Sequence, residues 1–204
     1  MHWLICKERT EIILFLFIWA NAFEERKEII FLSSNEDNWI IRDIMEIRTA
    51  TIAALAQIAA VEAECFPAAE AATKEEFAER IKYYGNHFWL MFEGEKLIAF
   101  VDGFVTDKLD LTDEMYERAE MHDENGAWQM IFGVNTIPAY RKHGYAGQLL
   151  QCAIEDARKQ GRKGLVLTCK EKLIAYYAKF GFENEGISES VHGNVTWYQM
   201  RYEF

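Results

Sequence analysis

The sequence has few of the features that mark a disulfide-stabilised or metal-binding protein. Its four cysteines lie far apart, and no two of them form a C-x-x-C pair or a metal-ligand spacing. They are Cys6, Cys65, Cys152 and Cys169. Free thiols in a reducing compartment are the simpler interpretation, so we expect a cytoplasmic protein with neither disulfides nor a metal site.

The chain also lacks an excess of positive charge. Lys and Arg number 22 against 33 Asp and Glu, which gives a formal net charge of −11. This balance argues against a general nucleic-acid-binding surface. An acidic exterior favours cationic small molecules or basic peptides as partners, although solubility alone is the commoner reason for such a charge. At 204 residues, the chain is long enough for one globular domain with a buried core.

No apolar run is long enough to cross a membrane as a helix. The run IILFLFIWA at residues 12–20 is too short for a bilayer. It precedes Ala20-Asn21-Ala22, which has the form of a signal-peptidase site, but Glu8 and Glu11 stand where a signal peptide carries positive charge. We therefore favour a third interpretation over a membrane helix or a signal peptide. In it, residues 1–44 are upstream sequence translated from too early a start, and Met45 is the true first residue. Residues 1–44 are accordingly treated as an N-terminal extension of uncertain status. The domain is then expected to span residues 45–204.

Strands and helices are mixed along that domain. The pattern predicts a strand at MEIRTA, a helix over residues 51–65 and a second helix that opens on a capping box of Thr73 and Glu76. A hairpin, a polar helix at LTDEMYERAEMH and a strand broken by Gly133 follow. A helix, a buried strand, a short helix and a final hairpin across His192-Gly193-Asn194 complete the chain. This order predicts a single domain of the α/β (α+β mixed) class.

The segment PAYRKHGYAGQLL at residues 138–150 places bare backbone and positive charge at the start of a helix. Helix N-termini bind phosphate through unpaired N–H groups, and Gly144 and Gly147 remove side chains that would keep a phosphate away. The cationic donors beside them are Arg141, Lys142 and His143. The segment therefore suits a pyrophosphate, although a plain turn before a surface helix explains it equally well on its own. It matches neither the P-loop nor G-x-G-x-x-G.

Two motifs in this order resemble those of the GNAT superfamily of acetyl-CoA-dependent N-acetyltransferases. The first is R/Q-x-x-G-x-G/A, met at residues 141–146, and the second is Y-x-x-x-G-F, met at residues 177–182. The resemblance extends from about Met45 to the C-terminus. The segments GLVLTCKEKLIAYYAKFGF, EGEKLIAFVDGF and EAECF look closest to the serotonin (arylalkylamine) branch. That branch carries a histidine pair at the positions of Met130 and Phe132, so its route for proton removal and its indoleamine substrate are not implied.

The resemblance implies a GNAT-like acyl-CoA N-acyltransferase fold, with a central mixed, mostly antiparallel sheet flanked by helices. It also implies acetyl-CoA as the co-substrate, with backbone groups at the end of the fourth strand contacting the pantetheine arm. The expected cofactor-binding residues are Val134, Asn135, Thr136, Arg141, Lys142, His143, Gly144, Tyr145, Ala146 and Gly147.

Attack of an amine on a thioester requires a base, a donor for the oxyanion and an acid for the departing thiolate. The resemblance implies Tyr177 as the acid. For the base we take Glu124, in the acidic loop before the fourth strand. Other candidates stay open, namely Glu62, Glu64, His87, His122, Asp123 and His192.

We expect an N-acetyltransferase that moves the acetyl group of acetyl-CoA to a primary amine by direct attack in a ternary complex. A small-molecule amine is favoured over a peptide N-terminus or lysine. Three alternatives remain: a protein or peptide N-acetyltransferase, a non-catalytic acyl-CoA-binding sensor, and a nucleotide-binding protein that uses the same loop. The sequence leaves a homodimer open.

Overall fold

The computed structural model describes residues 3–8, 11–18, 27–35, 38–191, 193 and 195–204, and it describes the backbone alone before Met45. The strands of this part of the chain are β1 (Trp3–Glu8), β2 (Glu11–Ile18), β3 (Lys27–Asn35), β4 (Asn38–Arg48), β5 (Phe88–Glu93), β6 (Lys96–Asp102), β7 (Val105–Thr106), β8 (Trp128–Ile131), β9 (Gly133–Thr136), β10 (Gly164–Cys169), β11 (Glu183–Ile187) and β12 (Tyr198–Glu203). Its helices are α1 (Leu55–Cys65), α2 (Lys74–Tyr84), α3 (Glu114–Glu117), α4 (Tyr145–Lys159) and α5 (Ile174–Ala178).

The described strands form two sheets, in the orders β1-β2-β3-β4-β5-β6-β9 and β11-β12-β10-β8-β7. Strands β8 and β10 run parallel, whereas β9 is antiparallel to β6. The other recorded pairs are antiparallel, and α1 and α4 both contact β6 and β9. The predicted mixed, mostly antiparallel sheet with flanking helices is therefore confirmed.

The fourth predicted strand divides between the two sheets. Its first half, β8, pairs with β10 as far as Ile131 opposite Leu167, and after Phe132 its second half, β9, pairs with β6 instead. Strand β10 continues through Thr168 and Cys169 without β9 beside it. We call the gap between β9 and these last two residues of β10 the splay.

Gly133 sits where the strand divides, as the sequence predicted. A Cβ atom at this position would lie 2.6 Å from Oδ1 of Asp102. Asp102 is buried and ion-paired with Arg80, with 3.2 Å between its Oδ2 and Nη1 of the arginine, so it has little freedom to move aside. Glycine at 133 thus allows β9 to turn away from β10.

Several local predictions are confirmed and one is wrong. Thr73 and Glu76 form the capping box at the start of α2, and β11 and β12 form the final hairpin. His192 and Asn194 of its turn lie outside the described residues, as does Ala20-Asn21-Ala22. The predicted polar helix at residues 111–122 is broken into the four-residue α3 and a 3-10 turn at Ala119–Met121, because the backbone of Arg118 leaves helical geometry at φ −121° and ψ 84°.

The start of the predicted domain falls inside β4. This strand begins at Asn38, but its pairing with β5 begins with Met45 opposite Glu93. The preceding residues of β4 pair with β3. Residue 45 is therefore where β4 joins the remainder of the sheet, and the division at that residue stays a prediction.

Candidate active site

One edge of β9 faces the splay. In an antiparallel pair, alternate residues direct their backbone N–H and C=O groups toward the partner strand. The N–H of Ile137 donates to the carbonyl of Ile98 at 3.0 Å, and Asn135, two residues earlier, lies opposite Phe100. The backbone groups of Val134 and Thr136 therefore point away from β6, toward the splay. They occupy the place predicted for contacts with the pantetheine arm.

Asn135 is arranged differently from its two neighbours. Its backbone faces β6, and its side chain is buried and donates from Nδ2 to Oε2 of Glu62 at 2.8 Å. The expectation that its backbone serves the cofactor is therefore not supported by this geometry. The alternation of strand residues explains the difference, because Asn135 belongs to the set that pairs with β6.

The N-terminus of α4 has bare amides. Gly144 is the N-cap residue, with φ of 83° and no side-chain cap, and Lys142 also has a positive φ of 69°. Gln148 is the first residue at this end whose backbone N–H donates within the helix, to the carbonyl of Gly144 at 3.0 Å. Five other amides have no acceptor in the described part of the chain, those of Lys142, His143, Gly144, Ala146 and Gly147. Such a run of amides at a helix start fits a diphosphate.

The side chains of this loop divide into two groups. Lys142 and His143 are exposed, as expected of groups that meet a soluble anion. The ring of His143 stacks on that of Tyr145, with 5.7 Å between centroids. Arg141 instead donates from Nε to the carbonyl of Thr136 at 3.0 Å. Arg141 thus holds the loop against the end of β9.

Gly147 has a packing role that the sequence interpretation missed. A Cβ atom there would lie 2.8 Å from Cζ of Phe180 and 3.6 Å from the hydroxyl of Tyr176. The glycine therefore lets α4 approach the aromatic residues of the second motif. The proposed reason, that its missing side chain clears space for phosphate, applies to Gly144, where a Cβ would meet no atom within 4 Å. The amide of Gly147 still faces the helix start.

Tyr177 lies on the β10 side of the splay. It is buried on α5, with its ring against those of Tyr176 and Phe182. Burial raises its pKa, with smaller effects of the same direction from Cys169 and its tyrosine neighbours, so the phenol keeps its proton at neutral pH.

Tyr116 and Phe132 pack against each other beside the splay. The Tyr116 hydroxyl is 3.2 Å from Oγ1 of Thr168 on β10, and its ring centroid is 4.8 Å from that of Phe132. Phe132 and the fully buried Met130 stand at the positions where the sequence comparison expected the histidine pair of the serotonin branch. Neither side chain titrates, so a base has to come from elsewhere.

Glu124 is held away from the splay. Its Oε2 lies 3.0 Å from Nε2 of His87, and its Oε1 lies 2.7 Å from Nη2 of Arg162, just before β10. At this end of the sheet β8 and β10 are still paired, because the splay opens only beyond Ile131 and Leu167. Partial burial acts to raise the pKa of Glu124, but the hydrogen bond and charge of His87, with Asn86 and Arg162, lower it to about 2. The structure does not bring this expected base to the reacting groups.

His122 also contacts Glu124, and the three side chains offer ligand atoms within 4.8 Å of one another. However, Nδ1 of His122 accepts the N–H of Val105 at 3.2 Å, which places the proton of a neutral ring on Nε2. That nitrogen then donates to Glu124, 3.4 Å away, and the guanidinium of Arg162 adds positive charge. This arrangement fits an ion-pair cluster better than a metal centre.

Glu62 is a buried carboxylate beside β9. Only 6% of the residue is exposed, and its two oxygens accept the N–H of Ala72 at 3.1 Å and the side-chain amide of Asn135. Burial raises the pKa of Glu62 to about 7, because it outweighs the opposing hydrogen bond from Ala72. In the sequence it was one of several open candidates, since its position in α1 does not reveal this contact with β9.

Comparisons with known proteins point in one direction. A model of the acetyltransferase (GNAT) family matches residues 55–182. Serotonin N-acetyltransferase of Mesocricetus auratus is 27% identical over 111 residues, which are 54% of this chain and 52% of that protein. The chain thus matches about half the length of this relative.

Solved structures share the fold at low sequence identity. GphF GNAT-like decarboxylase in complex with isobutyryl-CoA is 20% identical with a TM-score of 0.66, over 77% of this chain and 98% of that one. Arabidopsis thaliana Naa50 in complex with the bisubstrate analogue CoA-Ac-MVNAL is 18% identical with a TM-score of 0.62, over 78% and 99%. Among the described residues, no helix has the length and apolarity needed to span a membrane.

Proposed function

Because the chain belongs to the GNAT acetyltransferase family, we propose that it transfers the acetyl group of acetyl-CoA to a primary amine of a small molecule. The amine attacks the thioester directly in a ternary complex. The observation that carries this proposal is the splay itself, with the edge of β9 on one side, a buried phenol on the other and the bare amides of the α4 N-terminus in the loop that follows β9.

Acetyl-CoA is the co-substrate, and its parts have suitable partners. The diphosphate lies on the amides of the α4 N-terminus, with Lys142 and His143 beside it. The pantetheine arm runs along the edge of β9 that faces the splay, where the backbone groups of Val134 are available and Arg141 already donates to the carbonyl of Thr136. Two polar atoms, Oγ1 of Thr136 and Oε1 of Gln148, are buried without a hydrogen-bond partner in the described part of the chain, and we assign both to this arm. The thioester oxygen then accepts the N–H of Val134 as negative charge develops.

Tyr177 donates a proton to the thiolate of coenzyme A as the tetrahedral intermediate collapses. It lies on α5, which packs against β11 and β12, in the sheet that contains β10, so we place it across the splay from β9. The phenol holds its proton at neutral pH and so has one to donate as negative charge develops on the sulfur.

An ion pair across the mouth of the splay supports a small acceptor. Lys170 follows β10 directly, and its Nζ lies 2.8 Å from Oε2 of Glu70, in the connection between α1 and α2. The ring of Trp197 lies 5.6 Å from the same Nζ. These contacts join the two sides of the entrance, which favours a compact amine over an extended peptide. The similarity to serotonin N-acetyltransferase agrees with an aryl or alkyl amine.

The contacts of Lys170 across the entrance lead to a prediction about the size of the acceptor amine. Lys170→Ala should open the entrance, so that kcat/KM for a peptide with a free N-terminus rises relative to that for a small arylalkylamine. Lys172→Ala, an exposed change two residues along the chain, serves as the control. An unchanged preference in Lys170→Ala would argue that the entrance does not select for size.

Ligand binding and thiol release test the proposed function. Acetyl-CoA should raise the melting temperature, whereas ATP and NAD should not, and a panel of primary amines should release free thiol from acetyl-CoA. Stabilisation by acetyl-CoA with no thiol release for any amine would support an acyl-CoA sensor. Stabilisation by ATP or NAD alone would support a nucleotide-binding protein.

A further inference from the structure

We infer that Glu62 and Asn135 form the subsite for the acceptor's ammonium group, and that Glu62 takes its proton before attack. The inference rests on the proposed function and names the base of the same reaction. Neither family motif includes these two residues.

Their positions place them beside the acetyl group. Asn135 lies between Val134 and Thr136, whose backbone groups form the edge assigned to the thioester and pantetheine. Its side chain reaches Glu62 in the last turn of α1, which packs against β9. A group bound by the pair therefore lies next to the strand segment assigned to the thioester.

The hydrogen-bonding capacity of the pair suits an ammonium group. Nδ2 of Asn135 donates to Glu62, so Oδ1 is the side-chain atom of Asn135 that is left to bind another group. This Oδ1 is buried without a hydrogen-bond partner in the described part of the chain. Each carboxylate oxygen of Glu62 accepts one N–H and has a lone pair left. The subsite thus presents acceptors alone, and an ammonium group offers three donors and no acceptor.

The surroundings of Glu62 adjust its basicity. Burial and the negative charge of Asp102 on β6 raise its pKa, whereas the hydrogen bonds from Ala72 and Asn135 and the charge of Arg80 on α2 lower it. Cys65, one turn along α1, is the other titratable group beside it. The resulting pKa of about 7 is close to the pH at which the enzyme operates, where a general base is most effective.

The protons balance as follows. The ammonium gives one proton to Glu62, and the neutral amine attacks the thioester carbon. As the intermediate collapses, the carbon–sulfur bond breaks and the thiolate takes a proton from Tyr177. The nitrogen loses its second proton on becoming an amide, and this proton restores Tyr177. Glu62 releases its proton to solvent, so each turnover frees one proton.

The test compares Glu62→Gln with Glu75→Gln, an exposed glutamate on α2 that is not among the candidate bases. With an alkylamine at pH 7, Glu62→Gln should lower kcat/KM by about 100-fold or more. It should also remove the inflection near pH 7 from the pH profile, while acetyl-CoA affinity and the Glu75→Gln variant stay unchanged. A fluorinated primary amine that is already neutral at pH 7 should restore most of the lost rate, because it needs no deprotonation.

A second variant reports on the same base without removing it. Asn135→Asp places a second carboxylate against Glu62, which should raise the pKa of Glu62 and move the inflection above pH 7. Equal losses with alkylamine and fluorinated amine in Glu62→Gln, or an unmoved inflection in Asn135→Asp, would overturn the inference. In those cases the wild type still acetylates amines and the proposed function survives. A wild type that releases no thiol with any amine refutes the proposed function, and the inference with it.

Discussion

At the residue scale, the proposed chemistry uses two groups, Tyr177 and Glu62, and burial raises the pKa of both. For the phenol this keeps a proton available for the thiolate. For the carboxylate it provides a base that titrates near neutral pH. Burial thus keeps the proposed acid protonated and gives the proposed base a pKa near neutrality.

Removal of the Tyr177 hydroxyl tests the acid. We expect Tyr177→Phe to reduce kcat by about 100-fold or more, since a positioned acid contributes at least that much, and to leave acetyl-CoA affinity unchanged. Tyr176→Phe is the matched control, because the two rings are neighbours on α5. Steady-state thiol release and thermal shifts give the two readouts. Equal losses of kcat in both variants would remove the case for Tyr177 as the acid.

Glu62 also makes stability depend on pH. Its pKa is raised from 4.5 to about 7 in the folded protein, so folding takes up a proton between these values. The protonated Glu62 therefore stabilises the folded state, fully below pH 4.5, and this contribution to the free energy of unfolding is lost as the pH rises through 7. Relative to Glu62→Gln, the wild type should lose about 3 kcal/mol of unfolding free energy between pH 4 and pH 8. Urea unfolding of both proteins at the two pH values measures this difference, and parallel pH profiles would contradict it.

At the element scale, the proposed diphosphate site lies at one end of α4 only. Gly144 before its first turn and Gly161 after its last both have positive φ, 83° and 75°, and a Cβ at either position would meet no atom within 4 Å. The two glycines therefore have the same conformational demand. They differ in surroundings, because bare amides surround Gly144 alone.

Because Gly144 and Gly161 have similar backbone geometry, Gly161 can serve as the control in a test of the proposed diphosphate site at Gly144. Gly144→Ala and Gly161→Ala should each cost about 1 kcal/mol of stability, since alanine tolerates positive φ poorly. Only Gly144→Ala should also weaken coenzyme A binding, because its methyl group projects toward the diphosphate. Unfolding free energies and isothermal titration with coenzyme A separate the two effects. Equal coenzyme A affinity in both variants would place the diphosphate elsewhere.

At the scale of the whole molecule, the proposed acetyltransferase domain spans residues 45–204. The family match at residues 55–182 lies within it, and Met45 is the first residue of β4 that pairs with β5. A chain that starts at Met45 should therefore fold and be stabilised by acetyl-CoA to the same extent as the full chain. Circular dichroism and thermal shifts compare the two. Loss of folding in the shorter chain would show that residues 1–44 are part of the domain.

The sequence by itself determined the features that depend on neighbours in the chain. The capping box of Thr73 and Glu76 and the glycine-led start of α4 were predicted correctly, because each arises from residues a few positions apart. Gly133 marked the break in the fourth strand for a similar reason, although the Asp102 carboxylate that requires it was not visible in the sequence.

Tertiary structure alone decided which carboxylate lies beside the splay. Glu62 and Asn135 are 73 positions apart, and only the packing of α1 on β9 brings them together. Glu124 is nearer in sequence to the N-terminus of α4. It is instead paired with His87 and Arg162, where β8 and β10 still run side by side. A raised pKa requires removal from water, and burial is a property of the folded chain that no local pattern of residues encodes.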